Sequence, residues 1–437
     1  MVEVHAVSPG WQSSALIKIH EVMRMKIISF FLSISFIMHM IKQLDPKKII
    51  DTHERYYPHL YSIRDHVIVK GNGAFLYDSQ GNEYLDCVAG HGVMNIGHNH
   101  PKFIEAIKKQ LESVVMVPPA YPVESRANLL EKLAEITPKS LTQSFLSNSG
   151  TEAIEAAIKL AIKSKTDIKK PEIIAFKRAF HGRTIGSLAM TFNMKYRKPF
   201  LPWLSPNVKF ASYGDLDSVR ELINDNTVAV ITELIQGEGG VYPAPDDFPK
   251  ALRELCNEKN LLLIDDEIQA GFGRTGKMFA CEHYGIEPDV ICMAKAIAGG
   301  LPMGATIASE ELWNQLKSGE HYSTFGGNPL ICAAASATID IIREEHLVEN
   351  AERQGNKLIS SFNEIAGSND HIRGIRGKGL MIGVDFRKPV KERIDAAVKK
   401  GVLFLNAGLT VIRLLPPLII NDDQVNRIIK VIKEISE

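Results

Sequence analysis

Cysteine is scarce in the 437-residue sequence. Cys87, Cys256, Cys281, Cys292 and Cys332 are scattered and never in CxxC spacing. That argues against a disulfide framework or a structural zinc cluster and fits a reducing, cytoplasmic setting. An excess of either charge is also missing, with 51 Lys+Arg against 51 Asp+Glu, so a protein that binds nucleic acid by general attraction to phosphates is not expected. Gly and Pro, 32 and 21 residues, are too few for a fibrous or disordered chain. No apolar run has the length of a membrane span. The longest, residues 27–41, is broken by Ser29, Ser33, Ser35 and His39 and falls short of the roughly 20 residues a bilayer requires. Arg24 and Lys26 before it imitate a secretory leader, but Lys42-Gln43-Leu44-Asp45 stands where a small-residue cleavage site belongs. Met23, Met25, Met38 and Met40 offer internal starts. Residues 1–45 are therefore expected to be a poorly defined N-terminal extension, of which the part up to roughly Met38 or Met40 is a misplaced start or a loosely attached segment, with an interfacial anchor as the alternative.

What is present, from Thr52 on, is apolar strand, turn and amphipathic helix in repetition. Phe103, Ile107, Leu111 and Val114 fall on one helical face, as do Leu129, Leu133 and Ile136 before Pro138. Ile173–Phe176, Val228–Leu234, Leu261–Ile264 and Val290–Met293 read as buried strands. Alternation of this kind calls for a mostly parallel sheet covered on both faces. Helices near Leu330–Ile342 and Leu347–Phe362, strands near Leu380–Phe386 and Val402–Leu405, and a helix after Asn421 make a different C-terminal part. The expected fold is α/β: a large domain over 97–330, a smaller α+β domain over 331–437, and residues 46–96 packing with the smaller one.

Several stretches are placed to do chemistry. Ser149 and Glu152 form an S-x-x-E capping box before the helical pattern Ile154, Ala157, Ile158 and Ala161; the same helix start offers free N–H groups to an anion. Asp265, Asp266 and Glu267 end a buried strand, where α/β folds place ligands. Alternation turns Asp265 and Asp266 to opposite faces without saying which one faces inward. Lys295 is the only charged residue between Asp289 and Glu310, and an amine in apolar surroundings has a lowered pKa and can attack carbonyls. Arg413 interrupts the apolar run Val411–Leu415, where a buried guanidinium needs a carboxylate. Arg183 follows another strand. Two patterns compete with these. Gly271-Phe272-Gly273-Arg274-Thr275-Gly276 matches GxGxxG but lacks the acidic residue about 20 positions on that a dinucleotide site expects. His91, His98 and His100 cluster like metal ligands, yet glycines and Pro101 place them in an irregular loop, where His91 can still line a pocket.

A phosphate seat, an acid for a ring nitrogen and an amine for an aldehyde are what pyridoxal phosphate requires. On Asn148-Ser149-Gly150-Thr151-Glu152, Phe180-His181-Gly182-Arg183-Thr184, Gln236-Gly237-Glu238-Gly239-Gly240, Asp266-Glu267-Ile268-Gln269, Ala294-Lys295 and Ser323-Thr324-Phe325-Gly326-Gly327-Asn328-Pro329, the sequence resembles the class III, ω-amino-acid type of pyridoxal-phosphate aminotransferases. The likeness runs from about Tyr84 to the C-terminus and implies the aspartate-aminotransferase-like fold, fold type I. It implies that Lys295 links to the cofactor aldehyde and later moves the proton, and that Asp266 pairs with the pyridinium. By the same likeness Gln269 contacts the ring hydroxyl, Phe180 and Ile268 sandwich the ring, Ser149, Gly150 and Thr151 cradle the phosphate, and Glu233 joins the cofactor contacts. Thr324 would reach the phosphate of a neighbouring subunit, which implies a homodimer with shared active sites. Arg413 would bind the α-carboxylate of glutamate, with Glu238 masking it when an ω-amine donor is present.

The implied reaction moves a terminal amino group from an ω-amino-acid donor to 2-oxoglutarate, giving a semialdehyde and glutamate. Gly90-His91-Gly92-Val93 and Ala407–Arg413 look most like acetylornithine enzymes and their carrier-linked relatives in lysine and arginine synthesis. A 4-aminobutyrate or ornithine enzyme is the alternative, and Arg183, which can grip the distal carboxylate of either donor type, does not discriminate. A nicotinamide-dependent dehydrogenase resting on the GxGxxG match is the remote one. An acidic carrier protein would favour a basic rim, for which Lys102, Lys108, Lys109 and Lys195 are the candidates.

Overall fold

Seven short apolar runs pair into one central sheet in the computed structural model, which describes residues 45–437. The extension and the run 27–41 lie outside the described residues. The strands are β1 (Gln143–Ser147), β2 (Glu172–Phe176), β3 (Val208–Ala211), β4 (Thr227–Thr232), β5 (Leu262–Asp266), β6 (Val290–Met293) and β7 (Gly304–Ala308). Their order is β1-β7-β6-β5-β4-β2-β3. The pairs β6–β5, β5–β4, β4–β2 and β2–β3 are parallel, and only β7 runs antiparallel to its neighbours β6 and β1. All six residues of β4 are buried, as continuous Val/Ala/Ile runs require when both faces are covered. The expected mostly parallel α/β sheet is what the chain builds.

Chain contacts separate two units, whose described parts are residues 45–70 with 77–82, and 71–76 with 83–437. The first holds helix α1 (Pro46–Tyr56), capped by Asp45, which accepts from the Lys48 N–H at 3.2 Å; none of its residues is buried. The second holds everything else discussed below. Within it, strand Glu83–Asp86 pairs in parallel with Val402–Leu403, and the expected divisions near residues 97 and 331 both fall inside this unit.

Helices α2 (Pro101–Leu111) and α3 (Glu124–Ile136) pack against α4 (Pro329–Glu344). The first is shorter than its periodicity suggests: it ends at Leu111, so Val114 lies beyond it. Leu111 itself is exposed, so its apolar spacing was not matched by a partner surface. The four-stranded C-terminal sheet contains β8 (Ile372–Lys378), β9 (Met381–Phe386), β10 (Leu405–Ala407) and β11 (Val411–Leu414), in the order β8-β9-β11-β10. The run expected as one strand over Val402–Leu405 breaks at Phe404 and serves two different sheets. Among the described residues no helix is long and apolar enough to cross a membrane.

The GxGxxG stretch is a clamp. Arg274 is fully buried and donates to the carbonyls of Leu380 (3.1 Å) and Pro416 (2.5 Å) and to Asn95 Oδ1 (2.5 Å). Burial lowers its pKa to about 9, so the guanidinium stays charged near neutrality while tying three chain segments together. The stretch runs through turns after β5 and opens no α-helix, so the strand–turn–helix setting of a dinucleotide fingerprint is missing, which overturns the dehydrogenase alternative. His98 pairs with Asp86 (2.9 Å) and His100 with Glu345 (3.2 Å), so these histidines turn to separate carboxylates.

Candidate active site

A cavity of about 450 Å³ opens where the C-terminal end of the parallel sheet meets the start of helix α5 (Gly150–Lys163), the ordinary place for a ligand in such folds. Ser149 caps the helix, accepting from the Glu152 N–H at 3.3 Å. The return bond of the expected capping box lands one residue early: Glu152 Oε2 accepts from the Asn148 N–H at 2.7 Å. The first-turn N–H groups of Gly150 and Thr151 have no intrahelical acceptor and line the cavity, so the positive helix end faces it. Gly150 is required there: a Cβ would sit 2.9 Å from Ile268 Cδ1. The Thr151 hydroxyl is held by those of Thr184 (2.7 Å) and Ser187 (2.6 Å).

Asp266 ends β5 and is buried against the cavity. Its Oδ2 accepts from His181 Nδ1 at 2.7 Å and its Oδ1 from the Ile268 N–H at 3.1 Å. A carboxylate can only accept, so Nδ1 carries the hydrogen; the buried Nε2 meets no partner. His181 was legible only as a letter of the Phe180–Thr184 match, because nothing in the sequence says that position 181 meets position 266. Glu233 bonds the N–H groups of Phe180 (2.9 Å) and Gly237 (3.3 Å), so it holds the Phe180 ring beside the cavity. Burial raises its carboxyl to about 7, with the His181 charge acting against the rise.

Lys295 follows β6 on a tight turn with φ +48° and lines the same cavity. Burial lowers its ammonium pKa, opposed by the Asp266 carboxylate and assisted by Arg413. Arg413 is buried in β11 and donates to Glu238 Oε1 (2.7 Å) and Gln269 Oε1 (3.1 Å). Burial pushes the Glu238 carboxyl up, but the guanidinium holds it below the usual range. Arg183 lines the cavity and has no carboxylate partner among the described residues. His91, also at φ +67°, is exposed, with a pKa lowered by partial burial and by the Arg413 charge. Three predicted residues do not line this cavity: Arg413 reaches it only through its partners Glu238 and Gln269, His91 is exposed outside the lining, and Thr324 is exposed on the loop before Asn328.

The helix N-terminus, the strand-end carboxylate, the amine of lowered pKa and the residues Phe180 and Ile268 all line one cavity. Such a set accommodates the phosphate, ring nitrogen, aldehyde and ring faces of pyridoxal phosphate. A Cβ at position 150 would meet the Ile268 side chain at 2.9–3.3 Å, so any larger residue there would have to push Ile268 aside.

Asp265 takes the opposite face. Its carboxyl, that of Glu267 and the Cys281 thiol lie within 4.8 Å of one another, all buried. Neither oxygen of Asp265 receives a hydrogen bond, so the donors left to the pair are a proton between the two carboxyls and the Cys281 S–H. Burial and the neighbouring Glu267 charge raise Asp265, and burial raises Glu267 to about 8. Unfolded carboxyls ionise near pH 4, so between about pH 5 and 8 the folded chain holds more protons and stability falls as pH rises. Asp265→Asn, which cannot ionise, should remove at least half of the drop in thermal midpoint between pH 6 and pH 8.5. An unchanged drop by differential scanning calorimetry would exclude the shared proton.

The same arrangement of sequence recurs in known proteins. The aminotransferase class-III family matches residues 56–435. An acetylornithine aminotransferase of Methanosarcina mazei is 43% identical over 386 residues, 88% of this chain and 95% of its own length. A LysW-aminoadipate semialdehyde transaminase of Deinococcus radiodurans is 41% identical over 387 residues, 88% of this chain and 89% of its own. Among solved structures, the ornithine aminotransferase of Toxoplasma gondii, which has pyridoxal phosphate at partial occupancy in its active site, superposes with a TM-score of 0.87. It is 30% identical and covers 92% of this chain and 97% of that one. The acetylornithine aminotransferase of Elizabethkingia anophelis, also 30% identical, gives 0.80 over 90% and 99%.

Proposed function

The chain belongs to the class-III aminotransferases, pyridoxal-phosphate-dependent transaminases of ω-amino acids, and from that premise we propose a biosynthetic donor of the acetylornithine or carrier-linked lysine or ornithine type. The choice of a biosynthetic donor is supported by the likeness to acetylornithine and LysW-linked relatives at 43% and 41% identity, and the two-carboxylate exchange with glutamate by the contrast between two cations of the site. Arg413 is neutralised by Glu238 at 2.7 Å, whereas Arg183 has no carboxylate partner among the described residues and faces the cavity. A donor with a carboxylate far from its reacting amine satisfies Arg183 and leaves the Glu238–Arg413 pair closed. Glutamate brings a second carboxylate beside its amine, and that group can displace Glu238 from Arg413. An ornithine donor is the second reading, favoured by relatives that bear that name.

Bound pyridoxal phosphate supplies an aldehyde that captures amines and a cationic ring that draws electrons from the substrate carbon. In the proposed assignment Lys295 is the amine that anchors it and the base that moves the substrate-carbon proton. Asp266, oriented by His181, keeps the ring nitrogen protonated. The Gly150 and Thr151 N–H groups and the Ser149 hydroxyl hold the phosphate, Phe180 and Ile268 flank the ring, and Gln269 reaches the ring hydroxyl. Thr324, exposed in its own chain, serves the site of a second copy, so the working unit is a homodimer with shared sites. Five buried free cysteines suit a cytoplasmic setting. An acidic carrier remains part of the reading, with Lys108, Lys109 and Lys195 as rim candidates; Lys102 is already paired with Glu344 at 2.7 Å.

A glutamate-forming assay with acetylornithine, ornithine, 4-aminobutyrate and a carrier-linked lysine tests the donor. Highest kcat/KM with 4-aminobutyrate would overturn the biosynthetic reading. Glu238→Ala leaves Arg413 unmasked and should lower kcat/KM for the ω-amine donor relative to glutamate by about tenfold or more. An unchanged ratio would remove Glu238 from the assignment.

A further inference from the structure

Arg183 is exposed at the cavity yet has a defined seat. Its guanidinium carbon lies 3.5 Å over the centroid of the Tyr196 ring and 5.4 Å from that of Phe180. The Phe180 and Tyr196 rings themselves meet edge to face, with centroids 6.2 Å apart at 87°. Tyr196 is partly buried and packs on Leu188, Ala189 and Leu204. Its segment is pinned to the Phe180 loop: the Phe192 N–H donates to the Ala179 carbonyl (2.9 Å), and the His181 N–H donates to the Thr191 hydroxyl (2.9 Å).

A guanidinium stacked flat on a ring keeps the N–H groups around its edge free. Stacking removes the rotamer freedom that would otherwise be lost on binding, and a planar fork so held is preorganised for a bidentate carboxylate. No hydrogen bond is made by the Tyr196 hydroxyl among the described residues, so the ring face is the working part.

We propose that Tyr196 is a positioning residue for substrate recognition: its ring fixes Arg183 to receive the distal carboxylate of the donor, in step with Phe180 at the cofactor face. The inference rests on the donor reading above and adds a residue to it. Tyr196→Leu keeps apolar contact with Leu188 and Leu204 but offers no π face.

The test measures steady-state transamination in the reconstituted full-length enzyme, using whichever of the four donors wild type converts best. Tyr196→Leu should raise KM for that donor by about tenfold with kcat within about twofold, and Tyr196→Phe should restore wild-type KM. In an Arg183→Ala background the Tyr196→Leu step should change kcat/KM by less than about twofold, because the group it positions is gone. A fall in kcat at constant KM, no rescue by phenylalanine, or a full Tyr196→Leu effect without Arg183 would each overturn the proposal. Wild type inactive with every donor would instead overturn the donor reading, so the two failures are distinct. Should Tyr196→Leu not fold, Tyr196→Met carries the same comparison.

Discussion

Lys295→Ala is expected to bring transamination to background, a loss of at least about 10⁴-fold, since in the proposed assignment one side chain supplies both the covalent anchor and the proton-transfer group. The backbone should tolerate the change. Position 295 has φ +48° with lysine in place, and alanine meets the same left-handed geometry with no added side-chain strain. Around it, Ala294, Ala296, Ile297 and Ala298 are buried, so the turn is held by its neighbours. The amine itself is destabilised as an ammonium by burial, with Asp266 opposing, which leaves more of it neutral and nucleophilic than an exposed lysine. Two measurements check this: glutamate formation, and retention of cofactor on the chain after borohydride reduction and denaturation. Wild type should retain it and the variant should not. Activity above a tenth of wild type would take Lys295 out of the assignment.

Asp266→Asn should cost about 10²–10³-fold in kcat, about 3–4 kcal/mol, the usual price of losing one preorganised charge at a reacting centre. The buried carboxylate is set by two donors, His181 Nδ1 and the Ile268 N–H. An amide of the same shape keeps the first bond only if its oxygen faces the histidine, and it carries no negative charge to hold a ring proton. The donor KM should move far less than kcat, because Asp266 faces the proposed cofactor seat and the two arginines proposed to bind carboxylates, Arg183 and Arg413, stay in place. His181→Gln should give a weaker version of the same loss, since it acts by orienting the acid through one hydrogen bond. Equal kcat for wild type and Asp266→Asn would exclude Asp266 as the ring partner.

Much of this site was readable along the chain because its parts sit at element ends. Strand ends carry Asp266 and Lys295, a helix start carries Ser149 to Thr151, and local composition marks each of them: an acid after an apolar run, a lone charge in an apolar stretch, a capping pair. The predicted strand Val290–Met293 matches its bounds for the same reason. Misses arose wherever the outcome depended on a distant surface. Val114 continued a helical face, but the helix ends at Leu111 and the Gln110 side chain donates to the Val114 carbonyl instead. Val402–Leu405 looked uniform, yet Val402 pairs with Leu85 and Leu405 with Arg413, in different sheets. In the capping box the return bond from Glu152 goes to the Asn148 N–H and not to that of Ser149.

By itself, the sequence determined periodicity, and through it the α/β sheet, the anion-binding helix start and the resemblance that names the cofactor. Those are properties of near neighbours in the chain, governed by backbone geometry and by which residues can be removed from water. Tertiary structure alone decided which of Asp265 and Asp266 faces the cavity, that His181 backs the latter, that Glu238 closes over Arg413 from 175 positions away, and that Arg274 is a core clamp. Each of these depends on bringing charged or polar groups together in a buried place. The energy of such groups is set by partners that chain order does not reveal.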